Sequence, residues 1–238
     1  VLYYYRYCME FHKQGGQYLK DAVYAANDGI VTTFAVVAGV VGASLDPIVI
    51  LILGISNHLA DGFSMASGNY LGSRSETDLY HQERRREERE MHEIPDAERK
   101  EIEEILKKGG YQGEELQKML TLIMGNKKFA VDLMMTEEIG MLRPKEGQEM
   151  RGAVVTFFSF LIAGSVPLIP YLFFADSPHA FLFAVIFTSL ALFAVGALRV
   201  IFIGKGWLIS GLEMFFVGGI AAAIAYGVGF VLRQFIDI

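Results

Sequence analysis

Residues 131–140, VDLMMTEEIG, place Met135 and Glu138 three apart and Met134 and Glu138 four apart, so a helix there shows two thioethers and a carboxylate on one face. Thioethers are soft sulfur ligands and carboxylates hard oxygen ligands; together they favour divalent transition metals over calcium or magnesium. Glu87 with Glu90, and Glu98 with Glu101, are two further carboxylate pairs at a spacing of three. If the helices carrying them converge, seven side chains can meet one or more cations. Packing is the competing account, since an ExxE pair on a charged helix is commonly a solvated face bridged to Arg or Lys, and paired methionines commonly fill a core. A ferritin-like di-iron centre would need Glu-x-x-His motifs. His81 and His92 do not complete one, so iron oxidation is not expected and the chain is not read as an enzyme.

These residues lie in the most charged third of the chain: of 27 acids and 21 bases, 19 and 14 fall between Ser73 and Glu149. Outside that region charges are sparse, and the mean hydropathy of +0.35 is too high for an ordinary soluble domain. Five stretches can cross a bilayer: about 22–43, 47–71, 152–174, 180–202 and 207–232. The expected fold is an all-α integral membrane protein with five transmembrane helices and a helical subdomain inserted between spans two and three. Its expected domains are 1–72, 73–149 and 150–238, the first opening with a Tyr-rich interfacial segment rather than a signal peptide. Within the insert the pattern predicts span two continuing past Ser73. Further helices are expected from Pro95 to Gly109, along GEELQKMLTLIM, and along KKFAVDLMMTEEIGM up to Arg143-Pro144.

Lys13 and Lys20 before span one, Arg74 and Arg84 to Arg86 after span two, and Arg199 and Lys205 around the last turn lie on one side, so that side and the insert are cytoplasmic by the positive-inside rule. The single cysteine, Cys8, excludes an intramolecular disulfide and a cysteine-based zinc site. No basic patch speaks for nucleic acid.

The spans have polar residues of their own. Asp28 sits in NDGIVTTFAVVAGVVG, and Asn57, Asp61 and Met65 follow one another four apart in span two. Intramembrane carboxylates are costly and commonly line a cavity, cation path or proton relay. The plainer alternatives are that Asp28 caps the helix start and that Asp61 pairs locally. Ser64, Gly68 and Gly72 share a face that allows close helix contact, and Pro167 and Pro170 predict a kink in span three. Glu213 in span five is a weaker candidate acid.

NDGIVTTFAVVAGVVGA, DGFSMASGNYLGSRSE, the ExxE-bearing insert, FAVDLMMTEEIGM and SVPLIPYLF, in this order, resemble the vacuolar iron transporter family over nearly the whole chain after about Lys20. The resemblance implies a homodimer of five-span subunits that exports Fe2+ from the cytosol in exchange for protons, with metal as substrate and no permanently bound cofactor. It places the family's cytoplasmic metal ligands on Glu87, Glu90, Glu98, Glu101, Met134, Met135 and Glu138, and its membrane pathway on Asp28 and Met65 near the dimer interface. The insert assigns the chain to the members with a metal-binding domain. Where plant-type members carry a glutamate in span two this chain has Asn57, so either Asp61 takes the proton role or coupling differs. Mn2+, Co2+ and Zn2+ suit the same donors. A eukaryotic member would sit in the vacuolar membrane and a bacterial one in the inner membrane. The alternative from another class is a membrane-anchored iron sensor or store without transport.

Overall fold

The computed structural model describes residues 16–174, 177–203 and 206–235. All regular structure among them is helical: α1 (Gly16–Gly42), α2 (Pro47–Glu93), α3 (Pro95–Lys108), α4 (Gly113–Met124), α5 (Lys127–Glu137), α6 (Gln148–Gly164), α7 (Ile169–Phe174), α8 (Ala180–Ile203) and α9 (Trp207–Phe235), with a 3-10 turn at Val166–Leu168 between α6 and α7. Five stretches are long and apolar enough to cross a membrane: Tyr18–Gly42, Pro47–Glu93, Gln148–Phe174, Ala180–Arg199 and Trp207–Phe235. The interfacial segment, Cys8 and Lys13 expected before span one, and Lys205, lie outside the described residues.

The chain forms two compact units, one made from the segments up to Tyr70 and from Glu149 onward, the other from Leu71–Gln148. α2 supplies helix to both. Its apolar first half is long enough to span, and its charged remainder belongs to the second unit.

In the first unit small residues set the helix approaches. A Cβ added to Gly29 would lie 2.6 Å from the Phe160 carbonyl oxygen, and one on Gly54 would lie 2.6 Å from the Leu168 side chain. Gly42 faces the Tyr226 backbone and Gly229 the Gly39 carbonyl, so α1 and α9 touch backbone to backbone. Around these contacts Phe34, Val37, Ile50, Leu168, Tyr171 and Ala184 form a buried apolar cluster. Span three is interrupted at Pro167 as its prolines require: the missing amide N–H ends α6, and the chain resumes as α7 after the 3-10 turn.

Two sequence expectations need correcting. α1 begins at Gly16, so Asp28 lies inside the helix and does not cap its start. The last insert helix stops at Glu137, well short of Arg143: Glu138 is its C-cap, and Gly140 at φ +74° takes a left-handed conformation that cannot continue a helix. Gly68 and Gly72, expected to permit close helix contact, meet no atom of the described residues within 4 Å of an added Cβ.

Candidate metal site

In the insert, Tyr80, Glu87 and Met91 are buried along one side of α2 at spacings of seven and four, with Arg84 half-buried between them. On α3 the corresponding stripe is Glu98, Ile102 and Leu106. A glutamate therefore stands at a core position on each helix. Their surroundings are apolar: Met91, Ile102, Leu106, Leu116, Leu120, Ile123 and Met134 pack as one cluster, and Tyr80, Val131 and Met135 as a second. Met134 and Met135, each 1% exposed, thus serve the packing that competed with the metal account. Met134 shares its layer with Met91 and Ile102, each one turn beyond a buried glutamate.

Glu98 is 1% and Glu87 6% exposed, and the Oε2 atom of each is buried without a hydrogen-bond partner. Buried carboxylates of this kind are rare because desolvating a charge without compensation costs several kcal/mol, on the order of 3–5 when a partner is removed. Burial, followed by the charges of Glu138, Glu90 and Glu101, pushes Glu87 up to about 7. Burial, followed by Glu101, Glu87, Glu90 and Glu138, pushes Glu98 up to about 7. Glu138, more open to solvent, is raised by partial burial and then by Glu101 and Glu90, while Arg86 and Lys108 pull it down. The five candidate glutamates from α2, α3 and the end of α5 are therefore close enough to repel one another. Arg86 answers part of this charge, through Glu90 at 3.0 Å and Glu83 at 3.9 Å. Among the described residues, no three His, Cys, Asp or Glu side chains are drawn together as a finished coordination shell.

An ion-pair network missed in the sequence fixes this arrangement. Arg84 donates to Asp132 on α5, to the Tyr80 hydroxyl at 3.2 Å and to Glu88 at 3.1 Å, tying the Glu87 helix to the helix that carries the methionines. The legible signal was Arg84 on the Tyr80–Glu87–Met91 face.

In the first unit, Asp28 and Asp61 are half-buried on α1 and α2, near enough for their charges to interact. The Asn57 amide donates to Asp61 Oδ2 at 2.6 Å, the local pairing foreseen as the plainer account of Asp61. Met65, one turn further along, is half-buried and Asn57 exposed. Glu213 lies 3.7 Å from Arg199, which gives it an ion-pair role between α8 and α9. His58, a residue the sequence reading passed over, is buried between α1, α2 and α6.

The sequence of the chain has matches among known proteins. The sequence profile of the VIT family matches residues 19–230. A vacuolar iron transporter of Centaurea cyanus is 34% identical over 218 residues, 92% of this chain and 89% of the relative. Vacuolar iron transporter 1 of Oryza sativa subsp. japonica is 33% identical, covering 92% and 86%. The vacuolar iron transporter of Toxoplasma gondii is 36% identical over 225 residues, 91% of this chain and 74% of its own. With a match that takes in spans and insert alike, the chain belongs to the VIT family.

Proposed function

We propose that this protein is an iron transporter of a membrane, vacuolar in a eukaryote and inner in a bacterium, which moves Fe2+ out of the cytosol in exchange for protons. The single observation that carries transport, beyond metal binding, is the pair of carboxylates Asp28 and Asp61 inside apolar helices, near enough for their charges to interact. An anchor has no use for them, and a bilayer penalises them. Asp28 and Met65 receive partly dehydrated metal, and protonation on the Asp28–Asp61 side releases it. The insert faces the cytosol and collects the ion. Glu87, Glu90, Glu98, Glu101 and Glu138 attract it, and Met134 and Met135 add softness that admits Mn2+, Co2+ and Zn2+ as well.

The exposed face of α2 supports a homodimer. Asn57, Ser64, Gly68 and Gly72 are unsuited to lipid, and a second copy of the same face would cover them. The matching relatives' names, all of vacuolar iron transporters, support iron as the cargo.

The test is flux in proteoliposomes with Fe2+ or Mn2+ outside and a pH dye inside. Metal uptake with opposite proton movement is the expected result. Tight binding without flux would reduce the protein to a membrane-anchored sensor or store.

A further inference from the structure

His58 lies in the membrane-spanning half of α2 and is 7% exposed. Its ring stacks on Phe160 at 5.3 Å, and Nε2 is 3.0 Å from the Leu161 carbonyl oxygen of α6. On the other edge Nδ1 is 3.1 Å from the Thr33 hydroxyl of α1, itself 2% exposed. Glycines make the space: a Cβ on Gly164 would lie 2.5 Å from the imidazole Cε1 and 2.6 Å from the Gly29 carbonyl oxygen.

The partners decide what this ring can do. A carbonyl oxygen only accepts, so Nε2 carries a hydrogen in either charge state. A hydroxyl donates or accepts. With a neutral ring Thr33 donates to Nδ1; with a charged ring Nδ1 donates to Thr33 Oγ1. The same two partners therefore satisfy both forms, and a proton arrives or leaves without breaking the packing of three helices. The acids nearest in sequence on the two flanking helices are Asp28 on α1 and Asp61, three residues beyond His58 on α2. α6 has no charged residue from Gly152 to Gly164. Asp61 already accepts from Asn57 at 2.6 Å, and Asn57 itself cannot carry a proton.

We propose that His58 is a proton-binding residue of the exchange, taking up the proton that moves against the metal. The role rests on the antiport reading above. It places proton and metal on different groups: His58 between α1, α2 and α6 for the proton, and Asp28 with Met65 for the metal. Histidines in membrane spans suit relays of this kind because small changes of surroundings move them between charge states near neutral pH.

The full chain is tested in proteoliposomes with Fe2+ as the metal and a trapped pH dye. His58→Gln keeps a donor near the Nε2 position and His58→Asn an acceptor near Nδ1, and neither titrates. In both, protons moved per metal should fall about tenfold or more, and metal flux should lose its dependence on the pH gradient. Flux down a metal gradient and Fe2+ binding by the insert should persist. Wild-type coupling and pH profile in a folded variant overturn the proposal. Should both variants fail to insert, the wild-type chain with 15N-labelled histidine decides. A solvent-shielded ring signal must pass between neutral and charged forms over the pH range in which flux changes, and one that stays neutral overturns the role. If the wild type carries metal without proton movement at any pH, the antiport reading itself falls and this role falls with it. Coupled wild type with coupled variants removes only His58.

Discussion

The insert and the spans treat a buried acid in opposite ways. In the insert, Glu87 and Glu98 are sealed into an apolar core with an oxygen each left unpartnered, surrounded by three further glutamates. In the spans, most acids have a polar neighbour: Asn57 for Asp61, Asn69 for Asp21, Arg199 for Glu213. Asp28 is the departure, since the charge that acts on it is another acid, Asp61. The insert thus accumulates repulsion that any divalent cation relieves, which suits capture. Among the described residues of the spans, the repulsion is that between Asp28 and Asp61, which suits a path that must also let the ion go.

The sharpest break of that contrast is Asp28→Ala. A carboxylate that meets the metal in low dielectric is worth about 3 kcal/mol, or about a hundredfold. Flux in proteoliposomes should fall by that factor while Fe2+ binding by the insert is unchanged. Intact flux would remove Asp28 from the path.

Glu98→Met tests the other side, and its two readouts move in opposite directions. Replacing a buried, unpartnered carboxylate by an apolar side chain of similar length should stabilise the metal-free insert by about 1 kcal/mol or more. Calorimetric Fe2+ affinity should drop about tenfold or more, the scale seen on disturbing a metal site. A lower melting temperature for the metal-free variant would mean that Glu98 is a structural acid with a partner.

The pH dependence follows from the same two groups. Both are pushed up to about 7 from an ordinary value of 4.5, so between those values the folded insert holds more protons than the unfolded chain. Stability of the metal-free insert should therefore fall as pH rises from about 4.5 to 7 and then level off. Metal must displace those protons, so affinity should weaken below pH 7, by up to about tenfold per pH unit for each proton released. The profile arises from the insert's glutamates, so it belongs to binding and should persist in Asp28→Ala. A flat profile would break the account of the buried pair.

How much of this was legible depends on the reach of the interaction. Hydropathy and the breakers Pro47, Pro95, Gly109 and Pro167 act within a few residues, so the helices and the interrupted third span could be read from them. The stripes that face Glu87 and Glu98 inward are also local and could be seen at helical spacing. That one oxygen of each glutamate is left without a partner was not legible, because it depends on which of Arg84, Arg85 and Arg86 turns toward α5. The end of α5 was misread because Gly140 in TEEIGM acts through a backbone angle, and an apolar pattern continues past it. His58 was overlooked because its partners Thr33 and Leu161 lie 25 and 103 residues away.

Asp132→Asn carries the smallest expected effect and sharpens the contrast most finely. Asp132 lies among the candidate ligands in sequence, one turn before Thr136, and its carboxylate binds Arg84. If its role is only to hold α5 against α2, the variant keeps a hydrogen bond to a guanidinium that still has Glu88 and Tyr80. Partly exposed pairs of this kind are worth about 1 kcal/mol or less. Melting should shift by no more than a few degrees, and Fe2+ affinity should fall less than in Glu98→Met. An affinity loss as large as that of Glu98→Met, at unchanged melting temperature, would instead put Asp132 among the metal's own ligands. Arg84 would then be a cation that the incoming ion displaces.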